Sequence, residues 1–362
     1  MDKRLIELFL EAAGIEALSG NENNMADYIK SFLLKLNLTP HEDDSALNTK
    51  GQCGNVICPI GTGGEMVLLS HMDTARSTKE MKPVFHKDRI TSDGTTVLGV
   101  DNRAGIACLL YAVEKAINEN IPLKDFTLAF TVQEETTLLG SHYLGINGNI
   151  KMGFVFDSHL SPGCFIRESA GSIGFKVKIL GKAAHSGLAP EKGIDSVKIA
   201  GMAISNIDLG RIDSETTANI GIIKGGAATN VVPELTCIEG EVRSMAPEKI
   251  NIKIDEIRNE FEKAALQLGG AIEFETSWNF KPYSVDLESQ TFRTIESALK
   301  GAGLIPVPSI SKGGSDANSL NAKGIPTVNI GIGAENPHSN DEFILLNSLE
   351  KTAEIVLELI KK

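Results

Sequence analysis

The stretch that decides the fold is VLLSHMD at residues 67–73, an apolar run that ends in a histidine with an aspartate two residues on. A short apolar run of this kind is typical of a strand buried within a sheet. Further along, four more stretches each offer a metal-binding residue type beside an apolar run: GVDN at 99–102, AFTVQEE at 129–135, FVFD at 154–157 and NPHS at 336–339. Together they supply histidines, aspartates and a glutamate as ligands, with a second aspartate and a second glutamate beside them. This inventory predicts a two-metal hydrolytic site.

Composition limits the class of protein. A chain of 362 residues predicts two domains, and 42% hydrophobic with 23% charged residues is the balance of a soluble globular protein. The net charge of -12, without a block rich in Lys and Arg, argues against nucleic acid or an anionic membrane as partner. Residues 1–11 form an amphipathic helical pattern rather than a signal peptide, and no apolar run has the length of a membrane span. We therefore expect a cytoplasmic protein.

The cysteine pattern gives no structural framework. The five cysteines are an odd number in a long chain, which does not suggest a set of disulfides. Cys53 and Cys58 could form half of a zinc site, but the chain has no second cysteine pair at a standard spacing.

The first half of the chain alternates between helical and strand patterns. Helices are predicted at 5–17, 25–36 and 103–118, and strands at 66–70, 126–132 and 153–156. This alternation predicts a mostly parallel sheet with helices on both faces. Ligand sites in open α/β sheets lie beyond the carboxyl ends of the strands. The candidate ligands that directly follow strands are therefore where this fold places a site.

The middle of the chain has a different order. Strands are predicted at 173–180, 217–223, 235–243 and 271–278, and helices at 195–207 and 247–268. The order β-α-β-β-α-β predicts a ferredoxin-like α+β domain. Alternation then resumes with a helix at 289–301, a strand at 327–332 and a helix at 346–361. We predict one domain formed by residues 1–172 and 284–362, with residues 173–283 inserted into it.

The candidate ligands at the first strand and first long helix each have an ordinary alternative. Asp73 lies two residues after His71, on the same face of an extended chain, and could accept the proton of the second ring nitrogen. The alternative is a histidine and an aspartate in a loop. Asp101 precedes an apolar helix, so it is also typical of a helix N-cap, a role compatible with bridging two cations.

The later candidates also have alternatives. Adjacent strand residues face opposite ways, so Glu134 and Glu135 reach one site only if the chain turns; otherwise they are a solvated acidic pair. If they share a site, Glu135 binds metal and Glu134 stays free as the general base. Asp157 is favoured over its rival His159 because it ends an apolar run, while His338 is also typical of a loop histidine.

As an ordered set, these stretches and GKAAHSG at 181–187 resemble the M20 metallohydrolases, a family that includes peptidase T, carboxypeptidases and aminoacylases. The resemblance covers nearly the whole chain and is nearest to the peptidase-T-like members. Further matching segments are GG at 225–226, TNVVP at 229–233, GEVR at 240–243 and GGSD at 313–316.

The resemblance implies two zinc ions bridged by Asp101, with cobalt or manganese as alternatives in a mixed site. The other four ligands form one pair for each ion: His71 with Asp157, and Glu135 with His338. Asp73 would hold His71, and Glu134 would be the general base for a metal-bridging hydroxide. A cis peptide is implied after Asp101, and Asn102 stands where the family often has an aspartate.

The resemblance also implies the architecture and the substrate-binding residues. It implies a three-layer α/β/α zinc-peptidase domain and an inserted lid and dimerisation domain through which the chain forms a homodimer. His185 would stabilise the oxyanion, and Asn230, Arg243 and Gly314 correspond to substrate-binding positions. Without the resemblance, His185 is equally typical of a surface histidine, and Arg243 of a salt bridge within the small domain.

The function implied is a metallo-exopeptidase that releases the N-terminal residue of short peptides, as a tripeptidase does. A deacylase of N-acyl amino acids would use the same metal centre, so only the residues that line the substrate pocket can separate the two. A non-catalytic binding protein on this scaffold is the third alternative. It would be signalled by loss of Glu134 or of a ligand, and the sequence has lost neither.

Overall fold

The computed structural model describes residues 2–146 and 148–362, which divide into two compact units. The first unit contains the described residues up to Glu168 together with Tyr283–Ser311 and Ser315–Lys362. The second contains Ser169–Pro282 and Lys312–Gly314, so residues 312–314 belong to the second unit and not, as predicted, to the first. Each unit has its own buried apolar core. The five cysteines are free thiols.

The first unit begins with alternating helices and strands. Its elements up to Ser169 are α1 (Lys3–Ala13), α2 (Asn23–Lys35), β1 (His41–Glu42), α3 (Ala46–Thr49), β2 (Val56–Ile60), β3 (Met66–His71), β4 (Pro83–Phe85), β5 (Arg89–Ser92), α4 (Val100–Asn118), β6 (Phe126–Thr131), α5 (Leu139–His142), β7 (Met152–Ser158) and β8 (Cys164–Ser169). The predicted strands at 66–70, 126–132 and 153–156 are thus present as β3, β6 and β7.

The second unit has the predicted order of elements. They are β9 (Gly171–Leu180), a 3-10 turn (Pro190–Lys192), α6 (Ser196–Ser205), β10 (Gly210–Arg211), β11 (Thr217–Gly225), β12 (Leu235–Ser244), α7 (Pro247–Leu268) and β13 (Ala271–Phe280). The sheet order is β10-β11-β12-β9-β13, and each pair is antiparallel. Buried and exposed residues alternate along β9, because α6 and α7 pack against the sheet and cover only one face. The ferredoxin-like prediction is confirmed.

The chain then returns to the first unit. The remaining elements are β14 (Tyr283–Ser284), α8 (Gln290–Gly301), β15 (Val307–Ser311), α9 (Asp316–Ala322), β16 (Thr327–Gly331), β17 (Ala334–Glu335), β18 (Phe343–Leu345) and α10 (Leu346–Ile360). Because β16 pairs with β7, the last segment rejoins the first sheet as predicted.

The large sheet is mixed, with order β1-β2-β6-β3-β7-β16-β8-β14 and with β15 beside β8. Its four central strands, β6, β3, β7 and β16, are parallel, whereas β2 and β8 flank them in antiparallel pairs. All residues of β3 and β6 are buried. Since alternate side chains point to opposite faces, both faces of the sheet must be covered. The predicted three-layer α/β/α fold is confirmed, with parallel pairing confined to the central strands.

A small antiparallel sheet of order β17-β18-β5-β4 was not predicted. Its strands contain two to four residues, and β4 is exposed along its whole length, so no period is visible in the sequence. No helix in the part of the chain that the structure describes combines the length and the apolar character needed to cross a membrane.

Candidate metal centre

Three parallel strands bring predicted ligands to one edge of the large sheet. Strand β3 ends at His71, β7 carries Asp157 one residue before its end, and β6 is followed closely by Glu135. His338 comes from the loop between β17 and β18, and Asp101 from the start of α4. The carboxyl ends of parallel strands meet at one edge, which is why residues distant in the sequence converge there.

Asp101 lies at the centre of this group. Its Oδ1 is 3.0 Å from His71 Nε2, which is also 3.2 Å from Asp157 Oδ1. Its Oδ2 is 3.2 Å from His338 Nε2, which is also 3.0 Å from Glu135 Oε1. Asp101 therefore places one carboxylate oxygen in each of two histidine–carboxylate pairs, which is the arrangement a ligand shared by two cations requires.

The donor set fits a pair of divalent cations. Imidazole nitrogens and carboxylate oxygens are ligands for zinc, cobalt and manganese, and atoms of His71, Asp101 and Glu135 lie within 4.8 Å of one another. Burial raises the pKa of Asp157 and of Glu135, and the charge of Asp101 raises both further, although the histidines act in the opposite direction. Carboxylates held this close repel one another, so bound cations would stabilise the site.

The two adjacent glutamates share the site because the chain turns just before them. Gln133 has a φ of 51°, and the backbone N–H groups of Glu134 and Glu135 donate to the two carboxylate oxygens of Asp73, at 3.0 and 3.1 Å. The chain therefore makes the turn that both glutamates need to reach one site. The alternative of a solvated acidic pair does not describe these residues.

Asp73 also faces the His71 ring. His71 Nδ1 lies 3.1 Å from the backbone carbonyl oxygen of Asp73 and 3.3 Å from its Oδ1, and Ser19 Oγ donates to its Oδ2 at 2.6 Å. Burial raises the pKa of Asp73, but hydrogen bonds from His71, Ser19 and the Glu134 backbone outweigh it, and the net shift is downward. Asp73 thus orients one candidate ligand, His71, and anchors the turn that carries Glu134 and Glu135.

Glu134 lies beside the ligand pairs without joining their contacts. Burial raises its pKa well above the ordinary range, and the charges of Asp157, Asp316 and Glu135 raise it further against the lowering effect of His71. A carboxylate with raised proton affinity is suited to accept and return a proton.

The start of α4 is held by Glu342 rather than capped by Asp101. Asp101 and Asn102 have non-helical backbone angles at a kink within α4, and Asn102 Oδ1 accepts from Gly105 N at 3.2 Å. The buried Glu342 carboxylate accepts from the N–H groups of Gly99 at 2.6 Å and Asp101 at 3.1 Å. Burial raises the pKa of Glu342 to about 7. The Asp101 side chain is therefore free to face the two histidines, and the N-cap alternative is wrong. The Asp101–Asn102 peptide is cis, as the resemblance implied.

The contacts of Asn102 explain why an asparagine stands where the family often has an aspartate. Its Nδ2 donates to Phe156 O at 2.7 Å and lies 3.3 Å from Asp157 Oδ1, while Asn329 Nδ2 donates to Asp157 Oδ2 at 3.3 Å. An aspartate at 102 would lack the donor. Asp157, held in this way, contacts His71, whereas its rival His159 is exposed.

Arg103 places a buried positive charge behind the site. Its guanidinium donates to the carbonyls of Met72 and Ile15, and the side chain is fully buried. Burial lowers its pKa to about 10, against the raising effect of Asp73 and other nearby carboxylates, so it stays charged at neutral pH. Arg103 and Glu342 were not among the residues predicted from the sequence. An arginine within the apolar run of α4 was the available signal for the first, while the second had none.

In the second unit the structure brings two predicted residues together. His185 pairs with Val231, the residue after Asn230, and Ser186 N donates to Asn230 O at 3.0 Å. His185 and Asn230 are both exposed, and His185 Nδ1 accepts from Gly187 N at 3.1 Å. Residues far apart in the sequence thus present polar side chains from neighbouring loops.

Arg243 and Gly314 both lie against Phe280. The guanidinium of Arg243 makes two hydrogen bonds to Glu241, at 2.9 and 3.0 Å, and lies 5.6 Å from the centre of the Phe280 ring. A Cβ on Gly314 would lie 2.7 Å from this ring, so only glycine fits there. The salt bridge that was the alternative for Arg243 is present in the structure.

The fold and the paired histidine–carboxylate groups define a metal-dependent hydrolase. The chain belongs to peptidase family M20/M25/M40, whose model matches residues 67–362. It is similar to the uncharacterized protein YqjE of Bacillus subtilis, with 37% identity over 368 aligned residues that cover 100% of this chain and 98% of that protein.

Two solved structures are similar over almost their whole length. A tripeptidase from Staphylococcus aureus has a TM-score of 0.91 at 32% identity, covering 99% of this chain and 97% of that one. The aminopeptidase PepT from Bacillus cereus has a TM-score of 0.87 at 34% identity, with the same coverage of 99% and 97%.

Proposed function

We propose that this chain is a two-zinc exopeptidase that releases the N-terminal residue of short peptides, tripeptides in particular. The observation that carries the proposal is the position of Asp101, with one oxygen in the His71–Asp157 pair and the other in the His338–Glu135 pair. Similarity to a tripeptidase and to an aminopeptidase along nearly the full chain supports the choice of substrate.

The ligand contacts suggest which residues hold which ion. Asp101 would hold both ions, His71 and Asp157 one of them, and Glu135 and His338 the other. When bound, the ions supply polarisation of the scissile carbonyl and acidify the attacking water. Zinc is the proposed metal, and cobalt or manganese would suit the same donors.

Glu134 is the proposed general base. It takes a proton from the attacking water and then returns that proton to the leaving nitrogen as the peptide C–N bond breaks. The N-terminal residue leaves with a new carboxylate and the remaining peptide with a free amine. Asp73 acts through other groups, because it orients the His71 ring and fixes the backbone of Glu134.

The second unit is the proposed source of substrate contacts. His185 would stabilise the oxyanion, with Asn230, Arg243 and Gly314 contacting the peptide. We propose that this unit serves as a lid and as the interface of a homodimer, and that the protein acts in the cytoplasm. Sedimentation of the intact chain would test the dimer, since a monomer at assay concentration would contradict it.

The test of the function is turnover by zinc-loaded protein on a panel of dipeptides, tripeptides and N-acyl amino acids, with a chelator-treated control. We expect release of the N-terminal residue from tripeptides, abolished by the chelator. Hydrolysis of N-acyl amino acids alone would replace the peptidase with a deacylase. The Glu134→Gln variant should bind the same amount of zinc and turn over neither class.

A further inference from the structure

Arg76 lies at the exposed edge of the metal centre. It follows β3 by five residues, its side chain is exposed, and its Nη1 donates to the backbone carbonyl of His338 at 3.3 Å. The ring of that histidine contacts Asp101 and Glu135. The guanidinium therefore lies one histidine side chain away from the group of proposed ligands, on the same unit of the chain.

The remaining donors of this guanidinium are available to a ligand. An arginine side chain has five N–H donors, and within residues 2–146 and 148–362 Arg76 makes one hydrogen bond and no ion pair. Arg243 differs, because it already makes two hydrogen bonds to Glu241 and lies over Phe280. Because no carboxylate among the described residues neutralises it, the Arg76 guanidinium keeps a positive charge that an anionic group of a ligand can pair with.

We propose that Arg76 binds the free C-terminal carboxylate of the peptide substrate and thereby selects peptides of about three residues. The planar guanidinium matches a carboxylate with two parallel hydrogen bonds. Two extended residues span about 7 Å, so a tripeptide cut after its first residue places its carboxylate about one side chain's length from the metals. A dipeptide carboxylate lies closer to the metals, and that of a longer peptide extends beyond Arg76.

This inference rests on the proposed peptidase function, so its test compares substrates that differ only at the carboxylate. The kcat/KM of a tripeptide with a free C-terminus is divided by that of the same tripeptide amide. We expect a ratio of about ten in the wild type, because a charge-assisted pair contributes on that scale. The ratio should fall to about one in Arg76→Gln, through KM, and be partly kept in Arg76→Lys.

Lys79→Gln is the matched control. Lys79 is an exposed cation three residues further on that forms no ion pair among the described residues, so its loss should leave the ratio unchanged. Zinc content should be equal in all four proteins.

Each outcome decides between the two proposals. If wild type and Arg76→Gln cleaved the free tripeptide and its amide with the same ratio of kcat/KM values, the role of Arg76 would be overturned and the peptidase function would stand. If the ratio fell equally in Lys79→Gln, the preference for the free carboxylate would come from surface charge in general, and the role of Arg76 would again be overturned. No cleavage of either peptide by the wild type would overturn both.

Discussion

The candidate functional residues of the two units are held in opposite ways. In the first unit, Asp73, Asp101 and Asp157 each have at least two partners from distant parts of the chain, at 2.6 to 3.3 Å. In the second, His185 and Asn230 are exposed, and Arg243 is paired with a residue two positions away. The first unit thus holds the proposed metal donors in fixed positions, while the second offers accessible polar groups. The difference agrees with the proposal that the first unit binds the metals and the second contacts the substrate.

The sharpest test of the fixed donor set compares the central ligand with a terminal one. Asp101→Ala should lose both zinc ions and all measurable turnover, because both pairs share this carboxylate. Asp157→Ala should lose one ion, because Asp157 contacts the ring of His71 and not that of His338. Zinc per chain is measured after gel filtration. If Asp101→Ala lost only one zinc ion, Asp101 would not be a ligand shared by both ions.

Glu134→Ala should keep both ions and lower kcat by about 10²- to 10⁴-fold, the usual contribution of a general acid–base group. The reason is that Glu134 lies beside the ligand pairs but outside their contacts. Measured kcat and zinc content separate the two effects. Near-normal kcat would exclude Glu134 as the base, and loss of zinc would make it a ligand.

His185→Ala tests the second unit. It should lower kcat by about 10²-fold, as expected for removal of one oxyanion donor, with the zinc content unchanged. His159→Ala, another exposed histidine, is the control and should have normal turnover. Unchanged kcat in His185→Ala would remove this histidine from the mechanism and limit the role of its unit.

Glu342→Gln tests whether the donor set depends on the groups behind it. The buried carboxylate accepts from the backbone of Gly99 and Asp101, so its replacement should weaken zinc binding by about 10- to 100-fold. Competition with a chromophoric chelator measures the affinity. The exposed neighbour Asp341→Asn should bind zinc as the wild type does. Equal affinity in Glu342→Gln would show that Asp101 needs no such support.

The smallest effect concerns stability rather than activity. Burial raises the pKa of Glu22 from 4.5 to about 7, and its Oε1 accepts from the N–H groups of Gly20 and Gln133. Between these pH values the folded protein keeps a proton that the unfolded chain has released, so the free energy of unfolding falls as pH rises. Glutamine can keep both hydrogen bonds without a charge. Metal-free Glu22→Gln should therefore lose about 2–3 kcal/mol of this pH dependence.

Urea denaturation of the metal-free wild type and variant, between pH 4.5 and pH 7, measures this difference. Glu80→Gln, at an exposed acid in the loop before β4, is the control and should follow the wild type. If the free energy of unfolding of the wild type rose with pH, and that of Glu22→Gln rose in the same way, Glu22 would be ionised in the folded protein throughout this range.

The sequence predicted the helices and strands that have a periodic or uniformly apolar pattern, and the candidate ligands that follow an apolar run. The strands β3, β6 and β7 were visible because their residues are uniformly apolar, and the residues beyond their ends followed from the fold class. The helices α6 and α7 were visible from their helical period. The short strands β4 and β17 were not, because two or three residues show no period.

The groups behind the ligands could not be predicted, because their partners lie far away in the sequence. Glu342 acts on Asp101 across 241 residues and Ser19 on Asp73 across 54 residues. Hydrogen bonds of this kind leave no pattern in a single sequence. For Asp101 the local sequence was misleading. An aspartate before an apolar helix is typical of an N-cap, but contacts with distant histidines place its side chain among the candidate ligands.

The most direct test of a two-metal peptidase is a zinc titration of the metal-free protein, with release of the N-terminal residue from a tripeptide followed at each step. Asp101 in contact with both histidine rings predicts that turnover rises until two zinc ions are bound per chain and then stays constant. Full turnover at one ion per chain, or turnover that persists in the chelator-treated protein, would contradict the proposed mechanism.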